Sequence, residues 1–194
     1  MDSVELEQLL IGTAESPTLD FKGACDCDIK VLAKDILAMA NTQGGGHIVI
    51  GVEDRTFKRT GMTEQQQYSY EVDGMKDVMA NYADPYVNFD VYRVNDSDDL
   101  RYVVIRVHEF DEVPVICKKD SSDTKQGTVY YRTRNRRVES AHVSNSYDMR
   151  EIIDRSTAKM MTKRKASGYN VIFSPSETDL QTTITQLNQE LGGL

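Results

Sequence analysis

The chain has 194 residues, 39% hydrophobic and 28% charged, enough for one domain with a packed core. Its formal net charge of −8 argues against a protein that coats DNA by general positive charge, and no apolar run approaches the roughly 20 residues of a membrane span. The acidic opening MDSVELEQLL does not read as a signal peptide, and Cys25, Cys27 and Cys117 do not make a disulfide framework, so a cytoplasmic, reducing setting is expected.

In chain order, Val4, Leu6, Leu9, Leu10 and Ile11 predict a short first helix over 3–11, which GTAESP breaks. TLDFK alternates apolar and polar residues and predicts a strand. GACDCD turns, and Asp28 is placed to cap a helix. Ile29, Leu32, Ala33, Ile36, Leu37 and Ala40 then form one apolar stripe at helical spacing. HIVIGV reads as a buried strand, and residues 71–82 as a helix. YVNFDVYRV, the turn NDSDD and LRYVVIRV predict a β-hairpin. TVYYRTR is a further strand after a polar loop, and SNSYDMREIIDRS starts with capping residues and continues as a helix. These elements form a domain over residues 1–156. Residues 157–194 follow as a basic linker (KMMTKRKASG), a short strand (YNVIF) and an amphipathic helix carrying Leu180, Ile184, Leu187 and Leu191, a candidate oligomerisation or packing element. The fold class is α+β: a mixed sheet with flanking helices.

The three glycines in MANTQGGGHIVIGVED come after a helix and before a strand. Phosphate-binding glycine loops have the reverse order, with the positive helix N-terminus facing the phosphate. Here they read as a helix cap and tight turn, and no nucleotide cofactor is expected.

Carboxylates converge in the predicted topology. If Leu19 and Phe21 pack on the long helix with Ile48, then Asp20, Lys22 and Glu53 project from the opposite face, with Glu15 at the strand entry and Gly51 leaving room for a ligand. Asp54 has the other parity and stands as the alternative to Glu53. Clustered acids repel one another unless a cation lies between them, and Mg²⁺ or Mn²⁺ suits oxygen ligands. The plain alternative is that these are strand-end acids facing water. Positive charge is local: residues 118–137 carry seven bases against two acids. Arg132, Arg134 and Arg136 recur at strand spacing on one face, with Lys118 and Lys119 in the loop before them. That stripe fits phosphate contact or a solvated, ion-paired face. Cys25-x-Cys27 lacks the second pair usual in zinc sites.

ESPTLDFK, DIKVLAKDILAMANTQGGGHIVIGVED, Gly61, VPVICKK and GTVYYRTRNRRVESA together resemble the AlbA-like nucleic-acid-binding domain of Schlafen proteins, over roughly residues 10–156. The resemblance implies a role at nucleic acid. Some Schlafen members are endoribonucleases that cut structured RNA such as tRNA with three acids and a divalent metal. Glu15 matches the first acid and Asp20 the second, where the family usually has Glu. The third falls in GVED, at Glu53 or Asp54, and parity favours Glu53. Lys22 matches a lysine that could contact phosphate or the transition state. The Schlafen core resembles two such lobes around a groove, and this chain has length for one, so a homodimer or a partner lobe is expected. Three functional readings follow. The first is a metal-dependent endoribonuclease with Glu15, Asp20 and Glu53 on the ion and Arg132, Arg134 and Lys22 on phosphate. The second is a non-catalytic DNA- or RNA-binding regulatory module. The third is a protein-interaction subunit.

Overall fold

A computed structural model describes residues 1–11, 15–54, 56–134 and 138–169. The chain divides into two compact units, Met1–Lys159 and Met160–Leu194. The first holds a four-stranded mixed sheet, in the order β1-β2-β5-β4. Strand β1 (Leu19–Lys22) runs parallel to β2 (Gly46–Ile50), and β5 (Arg101–Val107) is antiparallel to both β2 and β4 (Phe89–Asn95).

Both faces of this sheet are buried. On one face Phe21, Val49, Val94, Tyr102 and Val104 pack against Leu6 and Leu10 of α1 (Ser3–Leu10). A capping box starts that helix: Asp2 accepts from the Glu5 backbone N–H, and Glu5 accepts from that of Asp2. On the other face Ile48, Ile50, Val103, Ile105 and Val107 pack against α2 (Ile29–Ala40). Asp28 caps α2 through the Lys30 backbone N–H, as its sequence position predicts, a contact type worth about 1 kcal/mol. The predicted stripe of α2 is buried, and from Ile36 to Ala40 every residue is buried. Helix α4 (Val72–Met79) adds Met75 and Met79 to the same core.

The glycine turn does what its position predicts. Asn41 ends α2, and its amide is buried between two segments: it donates to Val115 and Tyr130 carbonyls and accepts from the Val115 N–H. Gly44 and Gly45 have φ of 75° and 72°, left-handed values that L side chains avoid. A Cβ on Gly45 would lie 2.1 Å from the Val107 carbonyl oxygen.

Several elements depart from the sequence reading. Helix α3 (Glu64–Ser69) was not expected, nor the two-residue strands β3 (Ala83–Asp84) and β6 (Ile116–Cys117). Strand β7 (Tyr130–Arg132) ends two residues short of the predicted TVYYRTR and pairs with β8 (Ser140–His142). Helix α5 (Ser146–Ala166) continues through KMMTKRKA, where a linker was expected; this stretch lacks an apolar period but, apart from Thr162, consists of good helix formers. The predicted strand YNVIF, apart from Tyr169, and the final amphipathic helix lie outside the described residues. Among the described residues, no helix is long and apolar enough to cross a membrane.

Candidate nucleic-acid site

The register of β1 against β2 decides where its charges go. Asp20 stands beside Ile48, and Lys22 beside Ile50, so both share the α2 face of the sheet; Phe21 stands beside Val49 on the α1 face. The expectation that Phe21 shares the Ile48 face is therefore corrected. It assumed a single buried face, and this sheet has two.

Asp20 is consequently a carboxylate inside the protein, 2% exposed. Arg132 of β7, equally buried, places Nη1 2.9 Å from Asp20 Oδ1. Lys22 Nζ lies 2.7 Å from Asp20 Oδ2 and 3.0 Å from Asp35 Oδ2 on α2. Ser140 of β8 donates to Asp35 Oδ1 at 2.6 Å and accepts from Arg132 Nη1 at 3.2 Å. Two carboxylates and two cations thus close a network joining β1, α2, β7 and β8. Burial alone would lower the Lys22 pKa, but Asp35 and Asp20 outweigh it and hold the ammonium well above its usual value. Asp35 was missed in the sequence because it lies off the apolar stripe of α2 and belongs to no motif.

This network floors an open polar cavity of about 230 Å³. Glu15, Asp54, Lys34 and Glu139 complete its charged lining, which holds five carboxylates against three cations. Burial first, and then the neighbouring Asp20, raise the Glu15 pKa above its usual value; the Phe21 backbone N–H at 3.5 Å, Arg132 and Lys22 oppose the shift.

The third predicted acid moves by one residue. Glu53 lies in an exposed turn, accepting from Thr56 Oγ1 at 2.6 Å, and does not line the cavity; Asp54 does. Parity fails here because β2 ends at Ile50 and Gly51 turns the chain at φ 112°. Nor does Gly51 leave room for a ligand: a Cβ there would meet the Tyr102 ring at 2.8 Å.

The basic residues do not form one stripe. Arg132 is buried on Asp20, whereas Arg134 lies beyond the strand end, exposed and paired with Glu151 at 2.6 Å. Arg136 lies outside the described residues. Lys118 and Lys119 are exposed next to β6, with Lys119 Nζ 5.3 Å above the Tyr82 ring, and neither lines the cavity. The two adjacent tyrosines of β7 differ in environment: Tyr130 is in the core, and Tyr131 is half-buried and donates to Asp148. All three cysteines are free thiols.

Among the described residues, no three His, Cys, Asp or Glu side chains could hold one metal ion. The resting arrangement does not fit a three-carboxylate Mg²⁺ or Mn²⁺ centre, because an ammonium sits between Asp20 and Asp35 and Glu53 faces elsewhere.

The mixed sheet with its flanking helices is an α+β fold, and the chain belongs to the Schlafen AlbA_2 family, whose model matches residues 15–141. Two solved structures are similar to it. One is the DIP2311 protein of Corynebacterium diphtheriae, 20% identical with a TM-score of 0.45, covering 71% of this chain; this chain spans 26% of that one. The other is the N-terminal domain of a protein from Nitrosomonas europaea described as related to the ATP-dependent DNA helicase RecG. It is 18% identical with a TM-score of 0.45, over 75% of this chain and 99% of that domain. No curated protein matches the chain.

Proposed function

We propose that this protein binds nucleic acid, structured RNA such as tRNA foremost, with the polymer's backbone held at the cavity beside β1 and α2. One observation carries the reading: ESPTLDFK and GVED, two of the segments that resemble Schlafen domains, meet at this cavity through Glu15, Asp20, Lys22 and Asp54. Lys34, and Lys22 through the exposed third of its side chain, supply positive charge there for phosphate, while Arg132 stays buried on Asp20. A second copy of the chain, or a partner lobe, would widen the cavity into a groove of RNA size.

A second reading, phosphodiester cleavage as a Mg²⁺- or Mn²⁺-dependent endoribonuclease, is favoured by three acids of the expected motifs, Glu15, Asp20 and Asp54, lining one cavity. It requires Asp20 to be released from its cations first.

One experiment separates them. Purified protein is incubated with tRNA, a hairpin RNA and the matching DNA hairpin, with Mn²⁺ or with EDTA, beside Glu15→Gln and Asp54→Asn. Salt-sensitive binding without cleavage supports the binding reading, with the better-bound polymer naming the target. Cleavage with Mn²⁺ that is lost in both variants supports the endoribonuclease. Absence of any binding at low salt sinks both and favours a protein-interaction subunit.

A further inference from the structure

The last turns of α5 carry positive charge outside the cavity. Residues 155–176 hold five bases and no acid, in a chain of net charge −8. They lie past residue 141, where the family match ends. Arg155 and Lys159 both sit on Glu109. The next three bases, Lys163, Arg164 and Lys165, are consecutive, and every residue from 161 to 169 is exposed. Among the described residues, no ion pair holds Arg164 or Lys165.

Helix formation fixes this array. Gly168 has φ 84°, its N–H donates to the Lys165 carbonyl, and the Tyr169 N–H donates to the Arg164 carbonyl. That is a Schellman cap, and it closes α5 directly after the basic run. Tyr169, 69% exposed, thus follows the turn that bears Arg164 and Lys165. One cation would answer the helix dipole, which is equivalent to about half a negative charge at this end; three exceed it. Cations on a short turn beside an exposed aromatic ring suit a polyanion that also carries flat bases. An anionic lipid surface fits less well, because a helix lying in a membrane interface needs a broad apolar face. Past Lys159, the apolar residues of α5 are Met160, Met161 and Ala166, with no i, i+3 or i, i+4 repeat among them.

We propose that the C-terminal end of α5 is a second nucleic-acid contact, in which Lys163, Arg164 and Lys165 take backbone phosphates and Tyr169 stacks on an unpaired base. This rests on the reading that the protein binds nucleic acid, and not on the cavity as the place. The cavity offers Lys34 and part of Lys22 to phosphate amid five carboxylates. The helix end, free of acids, supplies affinity that does not depend on base sequence.

The test is binding of the full chain to a hairpin RNA with a single-stranded flank, in EDTA, titrated from about 50 to about 200 mM salt. The triple variant Lys163→Gln, Arg164→Gln, Lys165→Gln keeps good helix formers at exposed positions, and circular dichroism establishes that its helix content is unchanged. It is expected to bind about tenfold or more weakly, with a salt slope smaller by about two to three. Exchanging the charges without removing them (Lys163→Arg, Arg164→Lys, Lys165→Arg) retains wild-type affinity. Tyr169→Phe also retains it, and Tyr169→Ala weakens binding of the flanked hairpin about fivefold or more while leaving a blunt hairpin unchanged. A triple variant with wild-type affinity and slope overturns the proposal and leaves the cavity reading standing. A weakened triple variant beside an unaffected Lys34→Ala supports it and removes the cavity as the site. A wild-type chain that binds no hairpin at the lowest salt overturns the function proposed above and this contact with it. Binding instead to vesicles of phosphatidylcholine and phosphatidylserine, lost in the triple variant, would make the helix end a lipid contact.

Discussion

Asp20 is a buried carboxylate held between two cations, with Lys22 on one oxygen and Arg132 on the other. Arg132 depends on it in turn: its Nε and Nη2 are buried without hydrogen-bond partners, so Asp20 is the main compensation for its charge. Removing one member of a buried pair leaves the other uncompensated, at about 3–5 kcal/mol. Asp20→Asn is therefore expected to destabilise by that amount in urea unfolding, while Asp54→Asn, on an exposed loop, stays near wild type. A histidine gives a second prediction. Burial first, and then Arg106 beside it, lower the His47 pKa from 6.5 to about 4. The unfolded chain takes up that proton near pH 6.5 and the folded chain only near pH 4. The His47 contribution to stability is thus complete above pH 6.5 and is lost as pH falls through that interval. Unfolding free energy measured from pH 7 to 4 should decline with an uptake approaching one proton, and His47→Gln should flatten that part of the curve.

At the scale of elements, strong local patterns carried over. The stripe and cap of α2, the β4–β5 hairpin and the glycine turn all follow from residues within one segment. Two glycines of that turn are expected to behave differently. Gly44→Ala pays only for its left-handed φ, about 1 kcal/mol, because a Cβ there meets nothing within 4 Å. Gly45→Ala adds a clash with the Val107 carbonyl and should cost roughly 2–4 kcal/mol in the same unfolding assay. What stayed illegible depended on partners distant in sequence. Strands β3, β6 and β8 are two or three residues long and exist through pairing rather than pattern. The facing of β1 depends on α1 covering the second side of the sheet, which alternation alone cannot reveal. The same dependence hid the site: Asp54 enters the cavity because the chain turns at Gly51, and Asp35 because α2 lies over β1.

For the whole molecule, an acidic chain that binds a polyanion must do so through few, well-placed cations. The salt dependence of binding should then be modest, reflecting a handful of phosphate contacts rather than a coated surface. Lys34 is the informative residue, since it lines the cavity and is no part of the Asp20 network. The most direct measurement is the affinity of the full chain for a hairpin RNA in EDTA, titrated from about 50 to about 200 mM salt, beside Lys34→Ala. Binding at the cavity predicts an affinity that falls linearly with salt on logarithmic axes, and in Lys34→Ala a weaker affinity with a slope smaller by about one. No binding at the lowest salt, or a Lys34→Ala variant with wild-type affinity and slope, would contradict the assignment of this cavity to nucleic acid.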